Sequence, residues 1–224
     1  MSSHHIVKDK QEPALLIANG SSCKSELLEE LLEWSPFVVV LDGAMSRVHD
    51  LGIKVDVLLG DFDRNELAIE EIKKFQFPIE IIHTPDQEKT DLEKGIEFLI
   101  ERGFPAVNII WATGLRMDHT LANVFNLVKY KNDISLVMLD DHSKVIPLKS
   151  YPHIFEKWYQ KSTIISLLPM PQAYGIETVN LLYKLNKESL EIGFKLGNSN
   201  EVENDGLVQL KFASGELFLL ECID

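Results

Sequence analysis

Cysteine is almost missing from this chain: among 224 residues only Cys23 and Cys222 carry a thiol. Two cysteines supply neither a disulfide framework nor a structural zinc site. Long apolar runs are missing as well, and nothing approaches the roughly 18 continuous apolar residues of a membrane span. The opening "MSSHHIVKDKQEP" has no apolar stretch of the kind a secretory signal needs. His4 and His5 within it read as a disordered polar leader rather than a metal tract. These absences predict a cytoplasmic protein with no membrane partner. Basic residues are scarce, 22 against 35 acidic, for a net charge of −13. Sequence-independent nucleic-acid binding runs on phosphate neutralisation and is excluded on that balance.

Several nucleotide and hydrolase motifs are also lacking. No H-E-x-x-H, G-x-S-x-G or G-x-G-x-x-G occurs, which removes zincins, α/β-hydrolases and the dinucleotide fingerprint. "NGSSCKS" (19–25) looks briefly like a P-loop, but Cys23 precedes Lys24 where the Walker motif requires glycine. Its backbone amides are still placed to meet an anion at a helix start.

What is present is an ordinary globular composition, 45% hydrophobic and 25% charged, long enough for one large or two modest domains. Between residues 14 and 140, β-rich runs recur at "ALLIA" (14–18), "FVVVL" (37–41), "VDVLL" (55–59), "IEIIH" (79–83), "VNIIWA" (107–112) and "ISLVML" (134–139). Near-continuous apolarity marks strands covered on both faces. Helical spacing separates them: Leu92, Ile96, Leu99 and Ile100 share a face before Gly103, and Leu121, Val124, Phe125 and Val128 share another. This alternation predicts a parallel, Rossmann-like α/β sheet over 14–145.

After about residue 148 the pattern becomes "STIISLLP", "ETVNLLYKL", "SLEIGFKL", "GLVQLKF" and "ELFLLECI", short runs divided by turn residues. These predict a small all-β sandwich or flattened barrel over 150–224, with a hairpin turn around Gly215. "PLKSYPHIFEKWYQKS" is expected to be the passage between the two domains. Trp34 and Trp111 are expected in the core.

The expected strands end at "NG" (19–20), "DG" (42–43), "GDFD" (60–63), "TPDQ" (84–87), "TG" (113–114) and "DD" (140–141). The carboxyl edge of a parallel sheet is where ligands bind. In "LLGDFDR" (58–64), an extended backbone would aim Asp61 and Asp63 the same way, roughly 7 Å apart. At an effective dielectric of 20 their repulsion is about 2 kcal/mol, which a divalent cation would offset. With Asp42, Asp91 and Asp118 the set is hard oxygen, favouring Mg²⁺ over zinc. Arg47 and Arg116 could hold phosphate oxygens through their guanidinium groups.

Each residue also has a structural reading. Thr90 and Glu93 form a capping box, so Asp91 could merely complement the helix dipole. Asp118 could do the same for its own helix. His119 could be a packed histidine, and Gln87 a turn residue.

In order, "DGAMS" (42–46), "GDFDR" (60–64), "QEKTDLEK" (87–94) and "GLRMDHTLAN" (114–123) resemble the pattern of thiamin pyrophosphokinases. That pattern runs approximately D-G-G-A-N, G-D-F-D-S, Q-D-x-T-D-L-E-K and G-x-R-x-D-H-T-L-A-N. "SLLP" (166–169), "NLLYKL" (180–185) and "NSNE" (198–201) are similar to the family's β-domain. The resemblance covers 14–224 and is strongest to about 130. It implies a homodimer with thiamin sites between subunits, and diphosphoryl transfer from ATP to the thiamin hydroxyethyl oxygen with release of AMP. By motif position Asp61, Asp63, Asp91 and Asp118 would organise Mg²⁺ and the attacking hydroxyl. Asp42, Gly43, Arg47, Arg116 and His119 would lie with the nucleotide. Gln87, Ser199, Asn200 and Phe218 would lie near thiamin, Phe218 as the aromatic where the family often has Trp. Ala44, Met45, Arg64 and Glu88 depart from the pattern. Two further readings stand beside this one: diphosphate transfer to another heterocycle such as a hydroxymethyl pterin, and a non-catalytic nucleotide or thiamin sensor.

Overall fold

The structure is a computed structural model, described here for residues 13–63 and 68–223. Arg64 and the polar leader lie outside the described residues. Contacts divide the chain into two compact units, the first 1–123 with 133–135 and the second 124–132 with 136–224.

The first unit is a mixed α/β body. Its strands are β1 (Ala14–Ile17), β2 (Val38–Leu41), β3 (Val57–Gly60), β4 (Glu80–His83) and β5 (Ala106–Ile110). They pair in parallel in the order β4-β3-β2-β1-β5. Every residue of β1, β2 and β3 is buried, which is why those segments read as unbroken apolar runs. The chain adds β2, β3 and β4 on one side of β1 and then returns to place β5 on the other. Strand order therefore reverses between β1 and β5, a topological switch point.

Helices α1 (Ser25–Leu32), α2 (Met45–Asp50), α3 (Ile69–Phe75) and α4 (Asp91–Glu101) connect these strands. The apolar face of α4 is as expected, with Leu92, Ile96 and Leu99 at most 2% exposed. Each such side chain contributes roughly 1.5–3 kcal/mol on leaving water. The helix begins at a complete capping box between Thr90 and Glu93. It ends where Gly103, at φ +76°, lets its N–H reach the Ile100 carbonyl while the Phe104 N–H reaches that of Leu99. That pair of bonds is a Schellman stop.

Helix α5 (Met117–Tyr130) departs from its expected face: Leu121 and Phe125 are 45% and 42% exposed, and Leu127 and Tyr130 are buried instead. Trp34 is likewise 71% exposed, lying in the loop after α1, whereas Trp111 is buried as expected.

The second unit is antiparallel: β6 (Ser135–Leu139), β7 (Ser143–Leu148), β8 (Phe155–Tyr159), β9 (Ile164–Val179), β10 (Asn186–Glu191), β11 (Gly197–Glu201), β12 (Gly206–Lys211) and β13 (Ser214–Cys222). Strand β9 is 16 residues long and pairs with β10, β11, β12 and β13. It absorbs "IISLLP" (164–169) and the start of "ETVNLLYKL" into one strand. Ile165, Leu167, Ile176, Leu190, Val208, Phe212 and Leu219 form part of its buried core.

Two expectations are corrected here. The segment 147–162 is not simply a passage, because it contains the end of β7 and all of β8. Nor do β12 and β13 form a hairpin: β12 pairs with β8 and β9, and β13 with β7 and β9. Gly215, at φ +87°, sits instead at a register shift opposite Ala173. A Cβ there would lie 2.2 Å from the Gln172 carbonyl oxygen. The glycine signal was real, but it marks a close backbone approach.

Candidate active site

The loop after β3 is not extended. Phe62 lies between the two aspartates at φ +62°, a left-handed conformation that costs a non-glycine residue about 1–3 kcal/mol. The Asp63 N–H turns back to Asp61 Oδ1 at 3.2 Å. The expected strand-like pairing of Asp61 and Asp63 is therefore corrected to an aspartate turn that ties the second residue's backbone to the first residue's carboxylate.

Asp42, directly after β2, holds that turn. Its Oδ1 accepts from the Gly43 N–H at 2.7 Å and its Oδ2 from the Phe62 N–H at 2.7 Å. Burial pushes its carboxyl above the usual carboxylate range, and the charges of Asp91 and Asp61 push the same way. The two backbone hydrogen bonds oppose the shift without cancelling it. From the next loop, the Gln87 amide donates to Asp61 Oδ2 at 3.2 Å. Asp91, first residue of α4, is half-exposed and accepts from Lys94 Nζ at 3.1 Å.

The loops flanking the switch point are bonded to each other. The Gly20 N–H meets the Trp111 carbonyl, and the Ser21 N–H meets that of Thr113 at 2.8 Å. Arg47, on α2, braces the first loop: Nη1 donates to the Gly20 carbonyl and Ser22 Oγ, both at 2.9 Å, and Nη2 to Asn19 Oδ1 at 2.8 Å. Its guanidinium carbon lies 4.7 Å from the Trp111 ring centroid. Burial holds the Arg47 pKa below its usual value. Among the described residues this arginine bonds to protein acceptors of the 19–22 loop.

Arg116 and Asp118 form an exposed fork, Nε to Oδ1 at 3.1 Å and Nη2 to Oδ2 at 2.5 Å. The guanidinium bonds draw Asp118 down to about 2. His119 follows, also exposed. Asp42, Asp61 and Asp91 thus interact electrostatically, whereas Asp118 is held with Arg116. Among the described residues no three acidic, histidine or cysteine side chains stand together as a preformed metal site.

An open cleft of about 500 Å³ adjoins Asp61, lined also by Phe62, Ile69, Lys73, Ile81 and His83. The other expected carboxylates do not line it.

In the second unit, Ser199 is exposed at φ +54°, its N–H bonded to Ser166 Oγ at 2.9 Å. Asn200 is 5% exposed. Its Oδ1 accepts from the Tyr183 and Glu201 N–H groups, and its Nδ2 donates to the Tyr183 carbonyl. Those bonds fix the 180–185 bend. Phe218 is buried, 3% exposed, between Leu217 and Leu219 on β13. Sequence reasoning passed over Asn19 and Lys94. The Asn-Gly pair at the end of β1 was a usable signal for the first, while nothing in the spacing announces that the second is buried.

A parallel sheet whose carboxyl edge gathers aspartates and an arginine-braced glycine loop, followed in sequence by an antiparallel unit, defines a mixed α/β class with its polar loops at the edge where such sheets bind ligands. The family model described as "Thiamin pyrophosphokinase, catalytic domain" matches residues 28–138, and "Thiamin pyrophosphokinase, vitamin B1 binding domain" matches 152–217. The chain belongs to the thiamin pyrophosphokinase family, whose members are diphosphotransferases. It is 25% identical to Thiamin pyrophosphokinase 1 of Caenorhabditis elegans, over 96% of this chain and 92% of that one. It is 28% identical to Thiamine pyrophosphokinase of Bacillus subtilis, over 82% and 86%. The crystal structure of the Bacillus subtilis enzyme superposes with a TM-score of 0.79 at 22% identity, over 95% of this chain and 100% of that one. That of Candida albicans gives 0.77 at 14%, over 96% and 91%.

Proposed function

We propose that the chain transfers the diphosphoryl group of ATP to the hydroxyethyl oxygen of thiamin, giving thiamin diphosphate and AMP, with Asp61, Asp63, Asp91 and Asp118 serving the transfer. The observation that supports Asp61 and Asp91 is their electrostatic grouping with Asp42 at the ends of β2 and β3 and the start of α4, whereas Asp63 and Asp118 are assigned by motif position. Grouped charges of one sign raise each other's energy, and an arriving cation turns that cost into affinity.

The donors fit Mg²⁺. They are all hard oxygens, and Mg²⁺ takes one or two carboxylates and completes its shell with water and substrate phosphates, so no closed cage of side chains is required. When bound, the ion would neutralise charge on the transferring group. The remaining work falls to this chain. Asp42 fixes the turn that presents Asp61 and Asp63. Gln87 orients Asp61. Arg47 keeps the 19–22 loop in place beside Gly43, and Arg116 and His119 meet the nucleotide. Asp91 or Asp118 orients the attacking hydroxyl. Phosphoryl-type transfer is largely positioning and electrostatics, which is what such a set supplies.

On the thiamin side, Gln87 and Ser199 are exposed and suited to contact, while Asn200 acts by shaping the 180–185 bend and Phe218 by packing beneath the surface. The reading includes a Rossmann-like catalytic domain over 14–145 and a sandwich-like thiamin-binding domain over 150–224. It also includes a homodimer with thiamin sites between subunits, and a cytoplasmic location. Among the described residues no helix is long and apolar enough to cross a membrane.

The test is product analysis after incubating the purified protein with ATP, Mg²⁺ and thiamin. The expected result is thiamin diphosphate and AMP in equal amounts. ADP with thiamin monophosphate would contradict it, and binding of both substrates without turnover would mark a sensor. Sedimentation of an active monomer would overturn the dimer.

A further inference from the structure

Lys94 lies in the first turns of α4, where two physical effects act against a cation. The helix N-terminus carries partial positive charge, and burial strips the ammonium of water. The side chain is nonetheless 7% exposed. Its Nζ donates to the Thr84 carbonyl at 3.0 Å, just past the end of β4, and to Asp91 Oδ1 at 3.1 Å. Asp91 itself is 48% exposed, so the lysine approaches the carboxylate from its protein side. A methionine or leucine would fill the same space without the desolvation cost, so packing alone does not account for an ammonium here.

We propose that Lys94 is a positioning residue: its ammonium, anchored on the Thr84 carbonyl, holds Asp91 by Oδ1 and leaves Oδ2 to face the reacting groups. It also places one fixed positive charge beside Asp91, whose own charge acts on Asp42. The inference rests on the proposed role of Asp91 in the transfer and assigns the group that sets its orientation. Outer partners of metal-facing carboxylates commonly affect affinity or activity by about 10–100-fold.

The experiment is a double-mutant cycle on the full chain with Lys94→Met and Asp91→Ala, read as kcat and as the melting temperature of metal-free protein. Lys94→Gln is included because it keeps a polar, hydrogen-bonding side chain while the charge is lost. If Lys94 acts through Asp91, Lys94→Met and Lys94→Gln each lower kcat about 10–100-fold in the native background. Both then have little further effect once Asp91 is alanine, because coupled residues are non-additive. The metal-free melting temperature should follow the same rule, falling by roughly 2–4 °C or more on Lys94→Met in the native background and by less than half as much in Asp91→Ala. Equal drops in both backgrounds, or native kcat in Lys94→Gln, would make Lys94 a simple strut and overturn the proposal. Full activity in Asp91→Ala would instead remove the reading of Asp91 on which the proposal stands, a separable outcome.

Discussion

The guanidinium of Arg116 holds Asp118 through two bonds, Nε to Oδ1 at 3.1 Å and Nη2 to Oδ2 at 2.5 Å, two residues apart in the chain and fully at the surface. The pairing lowers the Asp118 pKa from 3.8 to about 2. A depressed carboxylate contributes stability above its unfolded value that is lost as pH falls through the folded one, so this contribution is present above pH 3.8 and disappears towards about 2. Carbon-detected NMR titration of the Asp118 carboxyl should find that low midpoint, and Arg116→Gln should return it towards 3.8. An unchanged midpoint in Arg116→Gln would show that the fork does not control the carboxylate.

Gly60 ends β3 directly beneath Asp42, and a Cβ there would stand 2.2 Å from Asp42 Cγ. Gly60→Ala should therefore displace the carboxylate that holds the Phe62 N–H, at an overpacking cost of about 1–3 kcal/mol. Thermal unfolding should show the loss, with activity falling further than stability explains. A variant as stable and active as the native chain would mean the turn tolerates Asp42 elsewhere.

Arg47→Lys keeps the charge and loses the fork that reaches Gly20, Ser22 and Asn19 together. Losing one charged hydrogen bond, about 1.5 kcal/mol, corresponds to roughly a tenfold rise in KM for ATP if the loop meets the nucleotide. A normal KM with reduced thermal stability would confine Arg47 to folding.

The strand ends and the start and stop of α4 were legible because each is written locally: unbroken apolar runs, Thr90 with Glu93, and Gly103. The candidate carboxylates were legible because they fall just past those strands. What the chain does not write locally was missed. Trp34 is apolar by composition, yet the neighbouring turn carries it to the surface. Gly215 looks like a hairpin turn, but β9 takes the place of the expected partner strand. The left-handed Phe62 depends on Asp42, twenty residues away, and the burial of Lys94 depends on Thr84 across the sheet edge.

The role proposed for the aspartates predicts metal dependence. EDTA should abolish turnover and Mg²⁺ restore it, measured as thiamin diphosphate formed. Full activity in chelator with metal-free nucleotide would reject the role given to the aspartates.

The most direct measurement compares Asp91→Asn with Thr90→Ala, neighbours at the same helix start. Thr90→Ala removes a cap worth about 1 kcal/mol while leaving the carboxylate in place. Asp91→Asn keeps an oxygen for Lys94 and relieves repulsion with Asp42, so its melting temperature should stay near the native value. Its turnover should nevertheless fall about 100-fold or more, the scale of one lost preorganised electrostatic contact. The account predicts that Thr90→Ala is the less stable variant and Asp91→Asn the less active one. The reverse ranking on both measures would contradict it.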